Sequence, residues 1–321
     1  MTLKVTTTTW AITFLRRRSD IRTENVWGNS TQRWAPFDLD LARLDRLMLR
    51  HKGGLAGTSS GKRLSNKFGA SLEFADYRPY LPGDDIRRID WAMYGRSRRL
   101  YTRLNRSELD ATVNIVLDGS ASMGWGDWSK GRRSLALAFA LAYISIRSYD
   151  RVTLAVGAKD VGSFLPPVHG RAALPRIIGF LEKQEFGHTG NLSSLLLSLK
   201  NLLRPNQFTV VISDFLSDWR QGLESLLFAR QQLLVFHVVS PDEAEPQWRG
   251  ALTLVDSETG GKKDVDLDQF TLAAYQQAAE EHRREIRDFC RSRGIGFFEY
   301  NAGAEPVDFL ASIAPAIFKS V

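Results

Sequence analysis

From Ala111 to the C-terminus the chain alternates β-prone apolar runs with helical patterns. That alternation confines it to a mainly parallel sheet covered by helices on both faces. The first run sets the theme. Val113, Ile115, Val116 and Leu117 form an apolar stretch broken only by Asn114 and bounded by a Gly/Ser turn, as in a strand buried on both faces. The strand ends in Asp118, and Ser120 and Ser122 follow at alternate positions. One carboxylate and two hydroxyls therefore gather at the C-terminal end of a strand, where open α/β sheets place their ligands. The donors are all oxygens, which suits a hard divalent cation such as Mg²⁺, Mn²⁺ or Ca²⁺.

The following segments repeat the theme. The spacing predicts helices over Ser129–Tyr149, Ala172–Lys183, Leu192–Leu203, Arg220–Gln232, Thr271–Arg293 and Val307–Phe318. Strands are expected over Val152–Ala158, Val161–Val168, Phe208–Ile212, Leu233–Val239 and Ile295–Tyr300. Leu252–Leu267 reads as a hairpin turning at Glu258–Gly261, and Gly294 as the C-cap of the long helix before it. The expected fold is an α/β, doubly wound, mainly parallel sheet with helices on both faces.

A smaller basic segment precedes it. The net charge of +7 is uneven: Leu41–Arg106 holds fifteen Lys/Arg against six Asp/Glu, and the remainder twenty-eight against thirty. Such a segment is compatible with nucleic acid, an anionic membrane surface, an acidic protein or a solvated face without a ligand. Residues 1–36 lack sustained periodicity and read as a disordered extension. Residues 37–110 read as a docking segment. Phe37–His51 has helical spacing with Asp38 as a cap, Lys52–Ala70 reads as a loop, and Ser71–Leu104 interleaves arginines, carboxylates and aromatics. Within that last stretch Pro82-Gly83 is a turn signal, and Asp84 or Asp85 is expected to cap a short helix running through Trp91. Residues 111–321 form the α/β domain. The only cysteine, Cys290, excludes an intrachain disulfide, and a cytoplasmic location is expected, with peripheral attachment to the inner membrane face compatible with the basic segment. No run approaches the roughly 18 apolar residues that span a bilayer.

A second acid sharpens the site. Asp214 follows the apolar run FTVVIS at the end of another expected strand, so Asp118 and Asp214 can face one crevice. DGSAS with the later SDF is similar to the metal-ion-dependent adhesion site of von Willebrand factor A-like domains. The preceding LEFADYRPYLPGDDIRRIDW resembles the signature of the bacterial domain-of-unknown-function 58 family, which joins such a segment to an A-like domain. The resemblance implies a non-enzymatic, metal-dependent adaptor or co-chaperone that binds a protein client and works with a MoxR-type AAA+ ATPase. It implies Asp118, Ser120, Ser122 and Asp214 as metal ligands. The family takes a further ligand from a Gly-x-Thr-Asp-Leu-like loop, and here the loop reads GHTGNLSSLL, Gly187–Leu196. Aligned on Leu192, Gly190 occupies the threonine position and Thr189 lies one residue early. Aligned on Gly187, Thr189 takes that position with one extra residue before Leu192.

Catalysis is disfavoured by the same residues. Gly119-Ser120-Ala121-Ser122-Met123 lacks the second glycine of a nucleophile elbow, and no P-loop, dinucleotide fingerprint or zinc spacing is present. His188 flanks the loop and reads as a surface residue, His282 as a packed helix-edge residue, and Cys290 as a small apolar one. Nucleic-acid binding through the aromatic, basic segment is the alternative function.

Overall fold

A computed structural model describes residues 14–17, 39–50, 64–68, 74–80, 89–108, 112–124, 130–148, 150–246, 250–256 and 261–317. The chain divides into two units, Met1–Ser59 with Ala111–Val321, and Ser60–Asp110.

The larger unit is built on a six-stranded sheet of β5 (Thr112–Asp118), β6 (Arg151–Gly157), β7 (Val161–Val168), β8 (Phe208–Ser213), β9 (Gln232–Val239) and β12 (Gly296–Asn301). Their order is β12-β9-β8-β5-β6-β7. All pairs are parallel except β6 with β7. That exception follows from the connection: three residues separate these strands, too few for the crossover a parallel pair requires. From β5 the chain winds first toward β7 and then, from β8, toward β12. The reversal point therefore lies between β5 and β8.

Helices cover both faces. α3 (Lys130–Arg147), α4 (Leu174–Leu181) and α9 (Pro306–Ile317) pack on one side with Ile115, Leu117 and Phe236. α5 (Leu192–Lys200), α6 (Arg220–Phe228) and α8 (Gln269–Ser292) pack on the other with Val116, Val211 and Val235. Strand residues of alternate parity feed the two cores, as pleating requires. Asn114, the break in the first apolar run, donates to Thr209 Oγ1 at 3.2 Å and to Gln207 Oε1 at 3.1 Å. It is thus a buried polar tie at the end of the sheet away from the strand C-termini. Cys290 is buried, and burial pushes its thiol up to about 12, so the apolar reading holds.

The N-terminal boundary differs from the sequence expectation. α1 (Leu41–Arg50) belongs to the larger unit, not to a segment beginning at Phe37. Leu44 is fully buried in the core that contains α3, a burial that stabilises by about 1.5–3 kcal/mol. Asp45 accepts from Tyr143 Oη at 3.1 Å and pairs with Arg147 at 2.9 Å, and Arg43 pairs with Asp308. The cap of α1 is Asp40, whose carboxylate accepts from Arg43 N at 3.0 Å; Asp38 lies outside the described residues. Disorder across 1–36 is corrected at β1 (Phe14–Arg17), which pairs antiparallel with β10 (Gly250–Val255). β10 in turn forms the expected hairpin with β11 (Lys262–Leu267). The rest of 1–36 lies outside the described residues.

The smaller unit has three antiparallel strands in the order β2 (Leu64–Phe68), β4 (Tyr101–Glu108), β3 (Phe74–Pro79). β2 falls where a loop was expected. A short helix, α2 (Trp91–Ser97), begins where the expected one was to end, and its cap is Asp90, which accepts from Met93 N at 2.9 Å. Asp84 and Asp85 lie outside the described residues.

Candidate functional site

β5 and β8 are hydrogen-bonded neighbours, with Leu117 opposite Ile212. Their C-terminal ends therefore place Asp118 beside Ser213 and Asp214. Asp118 Oδ1 accepts from Ser120 N at 2.9 Å and Oδ2 from Ser213 Oγ at 2.6 Å. A 3₁₀ turn at Ala121–Gly124 follows and brings Ser122 Oγ to 3.1 Å from Ser120 Oγ. Asp118, Ser120, Ser122 and Asp214 are all buried. The backbone supports them closely. Gly119 N donates to Gly157 O at 2.7 Å, and a Cβ on Gly157 would lie 2.0 Å from Asp160 O. Phe215 adopts a left-handed φ of 58°, an uncommon conformation for a bulky residue. It is over-determined by its edge-on contacts with Trp219 and His237, each 6.0 Å between centroids. This turn presents Asp214 inward, with Leu216 N donating to its Oδ1 at 3.3 Å.

Two further side chains occupy the site that sequence reasoning did not single out. Lys130, 1% exposed, places Nζ 2.7 Å from Asp214 Oδ2 and 2.7 Å from Glu243 Oε1. Glu243 lies on α7 (Pro241–Ala244), where it completes a capping box with Ser240. One sequence signal for Lys130 was available. It opens α3, where the helix dipole favours an anion. A lysine there is out of place unless carboxylates converge on it.

The charges set the proton affinities. Burial favours the neutral carboxyl of Asp118, the Asp214 charge adds to this, and together they push its pKa up to about 6 despite three hydrogen bonds. Burial acts on Asp214 in the same direction, but the charge and hydrogen bond of Lys130 outweigh it and hold Asp214 below the usual carboxylate range. Burial alone would lower Lys130; Asp214 and Glu243 reverse that and raise it. At neutral pH three carboxylates thus face one ammonium, an excess of two negative charges.

That excess, with a donor set of carboxylate and hydroxyl oxygens, fits a divalent hard cation. Asp118, Asp214, Ser120 and Ser122 would hold it. Among the described residues no three His, Cys, Asp or Glu side chains converge as a metal-binding group, so the serine hydroxyls are needed to complete the set.

The 187–191 loop reaches this site through its backbone. His188 O accepts from Ala121 N at 2.9 Å, and His188 forms a β-bridge with Ser120. Thr189 and His188 are themselves exposed. Asn191 is the N-cap of α5, its side chain accepting from Ser194 N at 2.8 Å. Asn191 thus fixes the start of α5, with Thr189 two residues ahead of it on the exposed part of the loop. Replacing Asn191 by alanine should cost about 1 kcal/mol, read as a lower denaturation midpoint.

A cleft of about 840 Å³ opens beside Asp214, between the β8–α6 loop, the end of β9 and α8. His237 and His282 line it, with rings 6.1 Å apart. Burial is the main cause that depresses both, His237 to about 3, so neither carries charge at neutral pH. His282 thus faces this cleft instead of serving only as a packed helix edge. Tyr275 donates to Glu243 O at 3.0 Å and ties α8 to α7.

Comparison with known proteins adds the following. A family model described as "Protein of unknown function DUF58" matches residues 76–285. The uncharacterized protein Rv1480 of Mycobacterium tuberculosis is 28% identical over 282 residues, 84% of this chain and 89% of that protein. Among solved structures, conserved hypothetical protein BatB from Bacteroides thetaiotaomicron gives a TM-score of 0.41 at 15% identity, over 65% of this chain and 100% of that one. An aerotolerance-related membrane protein from Bacteroides fragilis gives 0.40 at 15% identity, over 65% and 98%. Against the cytoplasmic expectation, the second of these structures is named as that of a membrane protein. Among the described residues no helix is long and apolar enough to cross a membrane.

Proposed function

The chain belongs to the DUF58 family, and we propose that it is a non-enzymatic adaptor whose A-like domain binds a protein through a divalent cation, Mg²⁺ or a close substitute. Asp118, Ser120, Ser122 and Asp214 hold that cation, and a partner carboxylate completes its coordination. One observation carries the reading: two strand ends bring Asp118 and Asp214 together with two serine hydroxyls, and with Glu243 the carboxylates around Lys130 exceed its charge by two. A MoxR-type AAA+ ATPase and a protein client are the partners that the family resemblance implies, with co-chaperone work as the outcome.

The test is capture by the purified chain from a lysate, together with binding to a purified MoxR-type ATPase, in Mg²⁺ or in EDTA. Wild type should retain partners only in Mg²⁺, and Asp118→Ala should retain them in neither. Identical capture in all four conditions overturns the proposal.

A second reading is favoured by one feature of the smaller unit. Trp91 and Tyr94 are 63% and 37% exposed on α2, 6.3 Å apart edge-on, beside the exposed Arg96, Arg98 and Arg99. Such a surface suits single-stranded nucleic acid, with bases on the rings and phosphates on the arginines. Affinity for a labelled oligonucleotide that falls steeply with salt and drops in Trp91→Ala supports this reading; salt-independent or absent binding removes it.

A further inference from the structure

We propose that Lys130 is a tethered competitor of the divalent cation: it holds Asp214 while the site is empty and yields it on loading, keeping Glu243 as its remaining counter-ion. The proposal rests on the cation-site reading above and adds how that site is regulated.

Three observations carry it. First, Lys130 lies between two carboxylates at equal distance, 2.7 Å from each. One of them, Asp214, belongs to the cation site, whereas Glu243 is fixed elsewhere. Ser240 N donates to Glu243 Oε2 at 2.9 Å, and Glu243 N donates to Ser240 Oγ at 3.2 Å, so Oε1 is left for the lysine. Second, the ammonium is buried, so it cannot leave Asp214 for water. A buried charge needs a partner, and Glu243 supplies one. Third, the lysine stands against the α3 dipole, so helix formation does not account for it.

The physical consequence is a competition. A dication bound to Asp118 and Asp214 lies near the Lys130 ammonium, and the two repel. Loading therefore requires Asp214 Oδ2 to exchange an ammonium for the cation or its water. The exchange is tolerable only because Lys130 stays paired. It also moves charge toward Glu243, whose helix is tied to α8 through Tyr275. Cation loading and the cleft beside α8 are thereby linked through one side chain.

The experiment measures Mn²⁺ affinity of the full chain by calorimetry, together with its denaturation midpoint in EDTA and in Mn²⁺. Lys130→Gln should bind Mn²⁺ at least about tenfold more tightly while being less stable in EDTA. Glu243→Gln should do the reverse for affinity, weakening it at least about fivefold, because Lys130 then has only Asp214. In an Asp214→Asn background the gain from Lys130→Gln should shrink markedly, since only the direct repulsion is then left to relieve. A purely structural lysine would weaken binding in every variant. The proposal is overturned if Lys130→Gln binds no tighter than wild type, or if its gain is undiminished without Asp214. If Lys130→Gln does not fold in EDTA, Glu243→Gln decides: unchanged or tighter binding overturns it. Failure of the wild type to bind Mn²⁺ at all would instead remove the cation-site reading itself.

Discussion

Replacing Lys130 by methionine should lower the stability of the cation-free protein by about 3–5 kcal/mol at pH 7. The substitution keeps the buried aliphatic stem and removes only the charge. Asp214, which is buried, and Glu243, which is partly so, then face each other and Asp118 without a counter-ion. An uncompensated buried carboxylate is the costly outcome, not the loss of one attractive pair. The pH dependence follows from the signs. In the wild type Asp214 is held below its ordinary pKa, so it contributes stability that is present above about pH 4 and is lost as pH falls through its folded value. In Lys130→Met burial is opposed only by the hydrogen bonds from Ser122 and Leu216 N, and Asp214 takes up a proton at higher pH than in the wild type. The deficit of the variant should therefore shrink steadily from pH 7 toward pH 4. Urea denaturation in EDTA at three pH values measures this. A deficit that stays constant across that range would show that the carboxylates are not its source.

The sequence carried the sheet and half of the site, for reasons visible in single residues. Asp118 and Asp214 end apolar runs, and a parallel sheet leaves such ends few places to go but a shared crevice. Ser120 and Ser122 come with Asp118 in one local turn. Lys130 and Glu243 are different. They meet Asp214 and Lys130 across 84 and 113 residues, and neither sits in a motif that points to the site, Glu243 belonging only to a local capping box. Only the order β5-β8-β9 brings α3, the β8 turn and α7 to one point. The loop from Gly187 to Asn191 shows the same limit on a small scale. Two alignments fitted the letters equally, and the Asn191 cap, which satisfies the first turn of α5, is compatible with both. The antiparallel edge strand β7 was readable in principle from its short connection. β1 was not, because its partner β10 lies more than two hundred residues away. The boundary near Phe37 misled because α1 is basic like the segment after it. Burial of Leu44, not charge, assigns it to the larger unit.

Asp118→Asn should make the cation-free protein more stable above pH 6 while removing its response to divalent cations. The wild-type carboxyl is buried beside Asp214 and titrates near pH 6, against 3.8 when unperturbed. Between those values the folded state binds more protons than the unfolded one, so wild-type stability falls as pH rises from about 4 to 6. Well above pH 6 the ionised Asp118 carries a penalty of about 3 kcal/mol. Asparagine has no proton to lose, and its carbonyl can still accept from Ser120 N, so the variant should show no such decline. A bound divalent cation acts in the opposite sense on the wild type. It favours the ionised carboxylate, so cation affinity should rise as pH increases through 6 and the penalty should become a gain. Denaturation midpoints from pH 4 to 8, with EDTA or Mg²⁺, separate these effects. If Asp118→Asn is less stable than wild type in EDTA at pH 7, the two carboxylates do not repel as the geometry requires. The residue would then be part of the scaffold. If it is more stable and no longer responds to Mg²⁺, Asp118 is an ionised group that the fold tolerates at a cost and the cation neutralises. That pattern is expected of a side chain retained for binding and not for folding.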